Sequence, residues 1–135
     1  MYTNILLPVA FDAKLNIEKP LAVARALSAP GGKIHLLHVF ETLPGYALQY
    51  VPQDMLQATR EGVLSEMQSK VAEIDNATAE VADGSPGRAI TDWAEDNGVD
   101  LIVMASHQPE LADILWGSTA AFVVRHAKCG VHVLR

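Results

Sequence analysis

The sequence predicts an α/β fold, a parallel sheet of five strands with helices on both faces. Three observations lead there. Short apolar runs alternate with longer segments of helical period in the order βαβαβαβαβ, which calls for right-handed crossovers between parallel strands. The runs are apolar at successive positions rather than at alternate ones, as strands covered on both faces must be. Half of the 135 residues are hydrophobic but only 6% are aromatic, the Ala/Val/Leu-rich composition of a helix-covered sheet.

Asn4–Val9 is the first strand, and Pro8 near its end brings no N–H to the ladder, so pairing stops there. The loop Ala10–Leu15 leads to Asn16, read as a helix N-cap, with Pro20 in the first turn where its missing N–H costs little. Leu21, Ala24, Arg25 and Leu27 carry this helix to a stop at Pro30-Gly31-Gly32. Lys33–Phe40 is the second strand. Glu41–Pro52 follows as a loop without a sustained period, of a length that serves a lid or a subunit contact. A long helix spans about Gln53–Asp75, with Leu56, Val63, Leu64, Met67, Val71 and Ile74 on one face and Arg60, Glu61, Glu66 and Lys70 mostly opposite; Asn76 ends it. Thr78–Val81 is the third strand and Gly84–Gly87 the turn after it. Arg88–Asp96 is a helix with Gly98 just past its end. Leu101–Met104 is the fourth strand, a polar loop and a helix ending at Arg125-His126 come next, and Val131–Leu134 is the fifth strand.

The expected organisation is one domain over residues 1–135, long enough to bury a core. The net charge of −6 argues against nucleic acid, whose phosphates call for a Lys/Arg patch. One cysteine, Cys129, permits no internal disulfide and suits a reducing compartment; its flanks offer no base, so it reads as a packing residue. Met1-Tyr2-Thr3-Asn4 has neither a basic run nor a cleavage site, and no apolar run approaches the length of a membrane span. The expectation is a cytoplasmic protein with no membrane partner.

The chemistry is expected between Met104 and Ala127. Ser118 is read as the N-cap of the last helix, Gly117 lets a ligand approach the backbone closely, and Arg125 and His126 complement the helix dipole at the other end. Strand, loop and helix start together make an anion site, with several N–H groups aimed at one point; the same residues also serve as an ordinary cap. His107 titrates near neutrality and either meets a phosphate or faces solvent. His38 and His132 read as packed or edge residues of strands. No His/Cys/Asp/Glu grouping has the spacing of a structural metal site. Gly117-Ser118-Thr119 lacks the lysine of a P-loop, and no base is assigned for an ATPase.

Ile5-Leu6-Leu7-Pro8-Val9, Leu37-His38-Val39, Gly84-Ser85-Pro86, Asp100 through His107, and Gly117-Ser118 through Cys129 to Val133 together resemble the universal stress protein family along essentially the whole chain. Ser106-His107-Gln108-Pro109 followed by Leu115-Trp116-Gly117-Ser118 is similar to its small F/G-type bacterial branch. The resemblance implies a Rossmann-like fold of the adenine nucleotide alpha hydrolase kind, with strand order 3-2-1-4-5. It also implies ATP or another adenine nucleotide, with or without Mg²⁺, between strands one and four, and a homodimer through the last strand. The family's nucleotide-binding pattern, Gly-x2-Gly-x9-Gly-(Ser/Thr), is matched outright only at Gly117-Ser118. Ala105 and Gln108 stand where its first two glycines belong, the loop is one residue shorter, and Ala10 replaces its acidic residue.

Carried over by position, Pro8, Val9 and Ala10 line the adenosine end, with Val39 against the adenine. Met104 and Ala105 run under the ribose, Gln108, Gly117, Ser118 and Thr119 face the phosphates, and Ser106 and His107 are counted with the nucleotide-binding residues. For Val9, Val39 and Met104, plain strand core is the competing reading. The resemblance makes the protein a nucleotide-binding stress sensor or regulator, with no catalytic residue assigned. A dimeric interaction module without nucleotide, or a weak ATP hydrolase or autokinase, stands as the alternative.

Overall fold

Leu101, Ile102 and Val103 of the fourth strand are at most 2% exposed, and so are Ile5, Leu6 and Leu7 of the first. These two strands lie side by side at the centre of the sheet. In the computed structural model, which describes residues 1–10, 15–42, 44–105 and 117–135, the elements follow the predicted alternation. They are β1 (Tyr2–Pro8), α1 (Glu18–Leu27), β2 (Ser28–Phe40), α2 (Gly45–Leu48), α3 (Gln53–Val71), β3 (Ala77–Asp83), α4 (Pro86–Asp96), β4 (Leu101–Ala105), α5 (Ser118–His126) and β5 (Gly130–Leu134). The five strands form one sheet in the order β3-β2-β1-β4-β5, and every pairing is parallel.

Side chains alternate across the sheet because strand residues point to opposite faces. Ile5, Leu7, Ile34, Leu36, Leu101 and Val103 pack with Ala24 of α1 and Met67 of α3. Leu6, Leu37, Ile102 and Met104 pack on the other side with Ile90 and Ala94 of α4 and Ala120 and Val123 of α5. The amino end of the sheet is tied by polar groups. Asp100 accepts from the backbone N–H and hydroxyl of Thr3 at 2.9 and 3.2 Å, and from the N–H of Asn4 at 3.0 Å. The Asn4 side-chain amide donates to the carbonyls of Asn97 and Gly98 at 2.8 and 3.0 Å. That leaves Asn4 Oδ1 to accept from His35 Nε2 at 2.6 Å, so His35 Nδ1 accepts from the Thr78 hydroxyl at 2.7 Å. Burial lowers the pKa of His35, as does Lys33, against an opposing pull from Glu80.

Several local expectations differ from the structure. Pro30-Gly31-Gly32 does not separate α1 from the next strand. β2 begins directly after the helix, with Ser28 beside Tyr2, and an irregularity in register absorbs the turn before Asn4 meets Lys33. Gly31 carries the positive φ of 77° that this path needs. The N-cap of α1 is Ile17 rather than Asn16, and α3 closes at Val71, short of Asp75. The stretch after β2 contains the short helix α2, and Pro86 and Gly87 already belong to α4, with Pro86 in its first turn where the missing N–H is harmless. Gly98 has a φ of 67°, as its place after the C-cap of α4 demands. Asn76, beyond the end of α3, likewise has a φ of 57°.

Candidate functional site

β1 and β4 are hydrogen-bonded neighbours only at Ile5–Leu101 and Leu6–Ile102. Beyond that point β1 continues along β2, through Leu7–Leu36 and Pro8–Leu37, and β4 continues along β5, through Met104–Val133 and Ala105–Leu134. The two halves of the sheet therefore part at their carboxyl ends, where the strand order reverses. Open parallel sheets bind ligands at that place. A cleft of about 890 Å³ lies there, within the size range of small-molecule sites.

This cleft brings together nine of the residues expected from the sequence: Pro8, Val9, Ala10, Val39, Met104, Ala105, Gly117, Ser118 and Thr119. Ser106, His107 and Gln108 lie outside the described residues. Met104 is 4% exposed, so it belongs to the core and to the cleft wall at once. Val9 is held by its N–H donating to the Leu37 carbonyl at 2.9 Å. Its own carbonyl accepts from His38 Nδ1 at 2.9 Å, which fixes the proton on that nitrogen. His38 is thus a cleft residue as well as a packed one, its ring edge-on to Phe40 with centroids 4.7 Å apart.

α5 starts at the cleft, one residue earlier than the capping assignment assumed. Gly117 is the N-cap, Ser118 is the first helical residue, and no side chain caps the helix. The first intrahelical bond runs from the Ala121 N–H to the Gly117 carbonyl at 3.0 Å, so the N–H groups before Ala121 have no intrahelical acceptor. They meet the positive end of the helix dipole. A Cβ placed on Gly117 has nothing within 4 Å, so the backbone there borders open space. Beside it, a smaller cavity of about 460 Å³ opens between the starts of α4 and α5, lined by Ser85, Gly87, Thr119 and Phe122 among others.

Sequence reasoning missed four charged lining residues: Glu18 and Lys19 in the first turn of α1, Glu41 directly after β2, and Arg135 directly after β5. None of them carries a motif, and only the strand order reveals which strand ends share the cleft. Among the described residues no three His, Cys, Asp or Glu side chains group to hold a metal ion. Cys129 is half-buried, and burial together with the Asp100 carboxylate pushes its thiol pKa up, so it is held as a thiol in the packing beneath α4 and α5. No helix among the described residues is long and apolar enough to cross a membrane.

A family model described as the universal stress protein family matches residues 1–135. The chain belongs to that family. It is 33% identical over 144 residues to universal stress protein G of Escherichia coli O157:H7, with all of both chains covered. Its fold is similar to the solved structure of universal stress protein MJ0577 of Methanocaldococcus jannaschii, with a TM-score of 0.78 and 27% identity over 99% of this chain and 96% of that one. An Arabidopsis thaliana family member solved with AMP bound shares the fold at a TM-score of 0.64 and 20% identity, over 98% of this chain and 90% of that one. Ala105, at the end of β4, is exposed at the cleft. Ala10, shortly after β1, is exposed there as well.

Proposed function

We propose that this universal stress protein binds ATP or another adenine nucleotide in the cleft between β1 and β4, and that occupancy reports nucleotide status to a protein partner in the cytoplasm. One observation carries the reading. A cleft of about 890 Å³ sits at the reversal of strand order, with apolar walls from Val9, Val39 and Met104 at one side and the open start of α5 at the other. Apolar walls suit a purine face, and helical N–H groups suit phosphate oxygens. Gly117, Ser118 and Thr119 take the phosphates in this reading, and Ser106, His107 and Gln108 complete the site. Lys19 and Arg135 line the same cleft and supply the cationic side chains that anionic oxygens favour. The AMP-bound Arabidopsis protein has the same fold, so the architecture admits such a ligand.

Mg²⁺ in this scheme arrives on the phosphates, which satisfy most of its coordination together with water. The protein acts as a binding module; hydrolysis or self-phosphorylation is at most a slow side activity, checked by incubation with γ-labelled ATP. β5 pairs with β4 along one edge, and its other edge offers N–H and C=O groups to a second copy. A homodimer through β5 follows, and a sedimentation mass of one chain refutes it. The test of the main reading is a calorimetric titration of the full chain with ATP and Mg²⁺. Saturable heat with one nucleotide per chain supports it, and no heat at millimolar nucleotide overturns it.

A further inference from the structure

The connection between β2 and α3 has a side that the cleft does not use. Along it the chain shows solvent a run of large apolar side chains: Tyr46 is 72% exposed, Leu48 45%, Tyr50 81% and Met55 59%. Elsewhere among the described residues, only Met1 and Val124 are exposed large hydrophobics. Single exposed apolar residues are ordinary, but a group of them marks an interaction surface. The fold gives these four no packing role. They belong to neither core cluster, and among the described residues neither tyrosine makes a ring contact or a side-chain hydrogen bond.

Local geometry groups them. The N–H groups of Ala47 and Leu48 donate to the Pro44 carbonyl, that of Tyr50 to Ala47 and that of Val51 to Leu48, so the chain stays coiled from Pro44 to Val51. Tyr46 and Tyr50 are therefore one turn apart on the same side. α3 starts directly after Pro52, and Met55 lies in its first turn, on a stripe with Thr59 and Gly62 that is exposed throughout.

Charge decides what this face can take. From Ile34 to Ser69 the sequence has four acids, Glu41, Asp54, Glu61 and Glu66, and one base, Arg60. Arg60 is occupied within the molecule: its guanidinium makes a two-pronged ion pair with Asp83 and lies over the Phe40 ring at 4.7 Å. Asp54 and Glu61, two turns apart on the stripe of α3 beside that of Met55, are exposed and form no ion pair among the described residues. A second copy fits poorly, since a two-fold contact brings these acids near their own copies and each chain already carries a net charge of −6. Nucleic acids and anionic bilayers bring phosphates and are repelled as well. A polypeptide with bases around an apolar centre meets both requirements, and Tyr and Met are side chains that the centres of protein interfaces favour.

We propose that the face formed by α2 and the start of α3 docks an amphipathic segment of a partner protein, with its apolar side chains on Tyr46, Tyr50 and Met55 and its lysines or arginines toward Asp54 and Glu61. This rests on the reading above only in giving its protein partner a surface; the docking itself needs no nucleotide.

The probe is a synthetic amphipathic peptide of about 18 residues, long enough to hold a helix, with leucines at helical spacing and lysines elsewhere; its counterpart has glutamate for lysine. Labelled peptide is titrated with the full chain at physiological salt and followed by fluorescence anisotropy. The lysine peptide should bind saturably, and the glutamate peptide about tenfold more weakly or not at all. Tyr46→Ser/Tyr50→Ser should weaken binding by about tenfold or more. Asp54→Asn/Glu61→Gln should weaken it and flatten its salt dependence, and Val124→Ser on α5 should leave it within about twofold. Circular dichroism shows each variant folded. No saturable binding of the lysine peptide, equal binding of both peptides, or an affinity that survives in either double variant overturns the proposal. So does a sedimentation mass above one chain that falls in Tyr46→Ser/Tyr50→Ser, which assigns the face to a second copy. Nucleotide is absent from every titration, so each of these results leaves the reading of the cleft to its own calorimetric test.

Discussion

Replacing Gly117 with valine separates a binding role for the start of α5 from a purely structural one. The backbone there has φ −54° and ψ 157°, an extended conformation that L-residues, β-branched ones included, adopt without strain. A Cβ has nothing within 4 Å, so no neighbour must move. Two small terms remain. Valine is a poorer N-cap than glycine by about 1 kcal/mol or less, and fixing a residue that was glycine in the unfolded chain returns about 0.4–1 kcal/mol. They oppose each other, so net stability should change by less than about 1 kcal/mol, or roughly 3–5 °C in Tm for a chain of this size. Binding behaves differently, because the valine methyls enter the space beside the first-turn N–H groups. Loss of one hydrogen bond to a charged oxygen costs about 1.5–3 kcal/mol, so affinity should fall by about tenfold to a hundredfold. The assay pairs a thermal melt with an ATP titration of both proteins. A variant that keeps its Tm and also its affinity shows that the ligand does not lie against Gly117, and the reasoning about this helix fails.

Further perturbations probe what holds the site in place. A Cβ on Gly87 meets the Phe122 ring at 2.7 Å, so Gly87→Leu should wedge α4 from α5 and destabilise the fold by about 1–3 kcal/mol; an unchanged midpoint in urea refutes it. Asp100 is held below the usual carboxylate pKa. Desolvation pushes it up, but the Thr3 and Asn4 N–H groups and the Thr3 hydroxyl outweigh that. A depressed folded-state pKa contributes stability above its unfolded value, near 3.8, that is lost as the pH falls through the folded one. The prediction is that Asp100→Asn melts with a flatter dependence on pH between about 5 and 2. Identical slopes for variant and parent count against it.

The central strands were legible because burial on both faces leaves a mark in the sequence: Ile5-Leu6-Leu7 and Leu101-Ile102-Val103 have no polar residue to point at solvent. Local chemistry also marked Gly98 and Asn76, where the backbone turns through positive φ. Other features depend on contacts distant in sequence, and no window of residues contains them. Ser28 is a strand residue because Tyr2 pairs with it, although Pro30-Gly31-Gly32 between them reads as an interruption. The requirement for glycine at position 87 comes from Phe122, 35 residues away. The cap of α5 was off by one residue because a serine beside a glycine satisfies the same preference at either position. The resemblance supplied nine of the cleft residues. His38, Lys19, Glu41 and Arg135 stayed hidden because they depend on which strand ends converge.

That convergence bears on Ala10 and Ala105. The cleft exists because β1 and β4 share only two register pairs before each follows its outer neighbour. Neither Ala10 nor Ala105 takes part in opening it, and both are exposed at its lip. Both line the cleft together with the apolar walls of Val9, Val39 and Met104. Placing a glycine at Ala105 tests whether its methyl group bars a ligand. If the site already admits a nucleotide, Ala105→Gly should tighten binding by no more than a few-fold, because a single methyl group in contact is worth about 0.8 kcal/mol. If Ala105 is what keeps the phosphate out, the parent chain should give no heat with ATP and the variant should bind. That outcome would move this protein to the interaction-module reading, with its cleft opened by the strands and closed by one side chain.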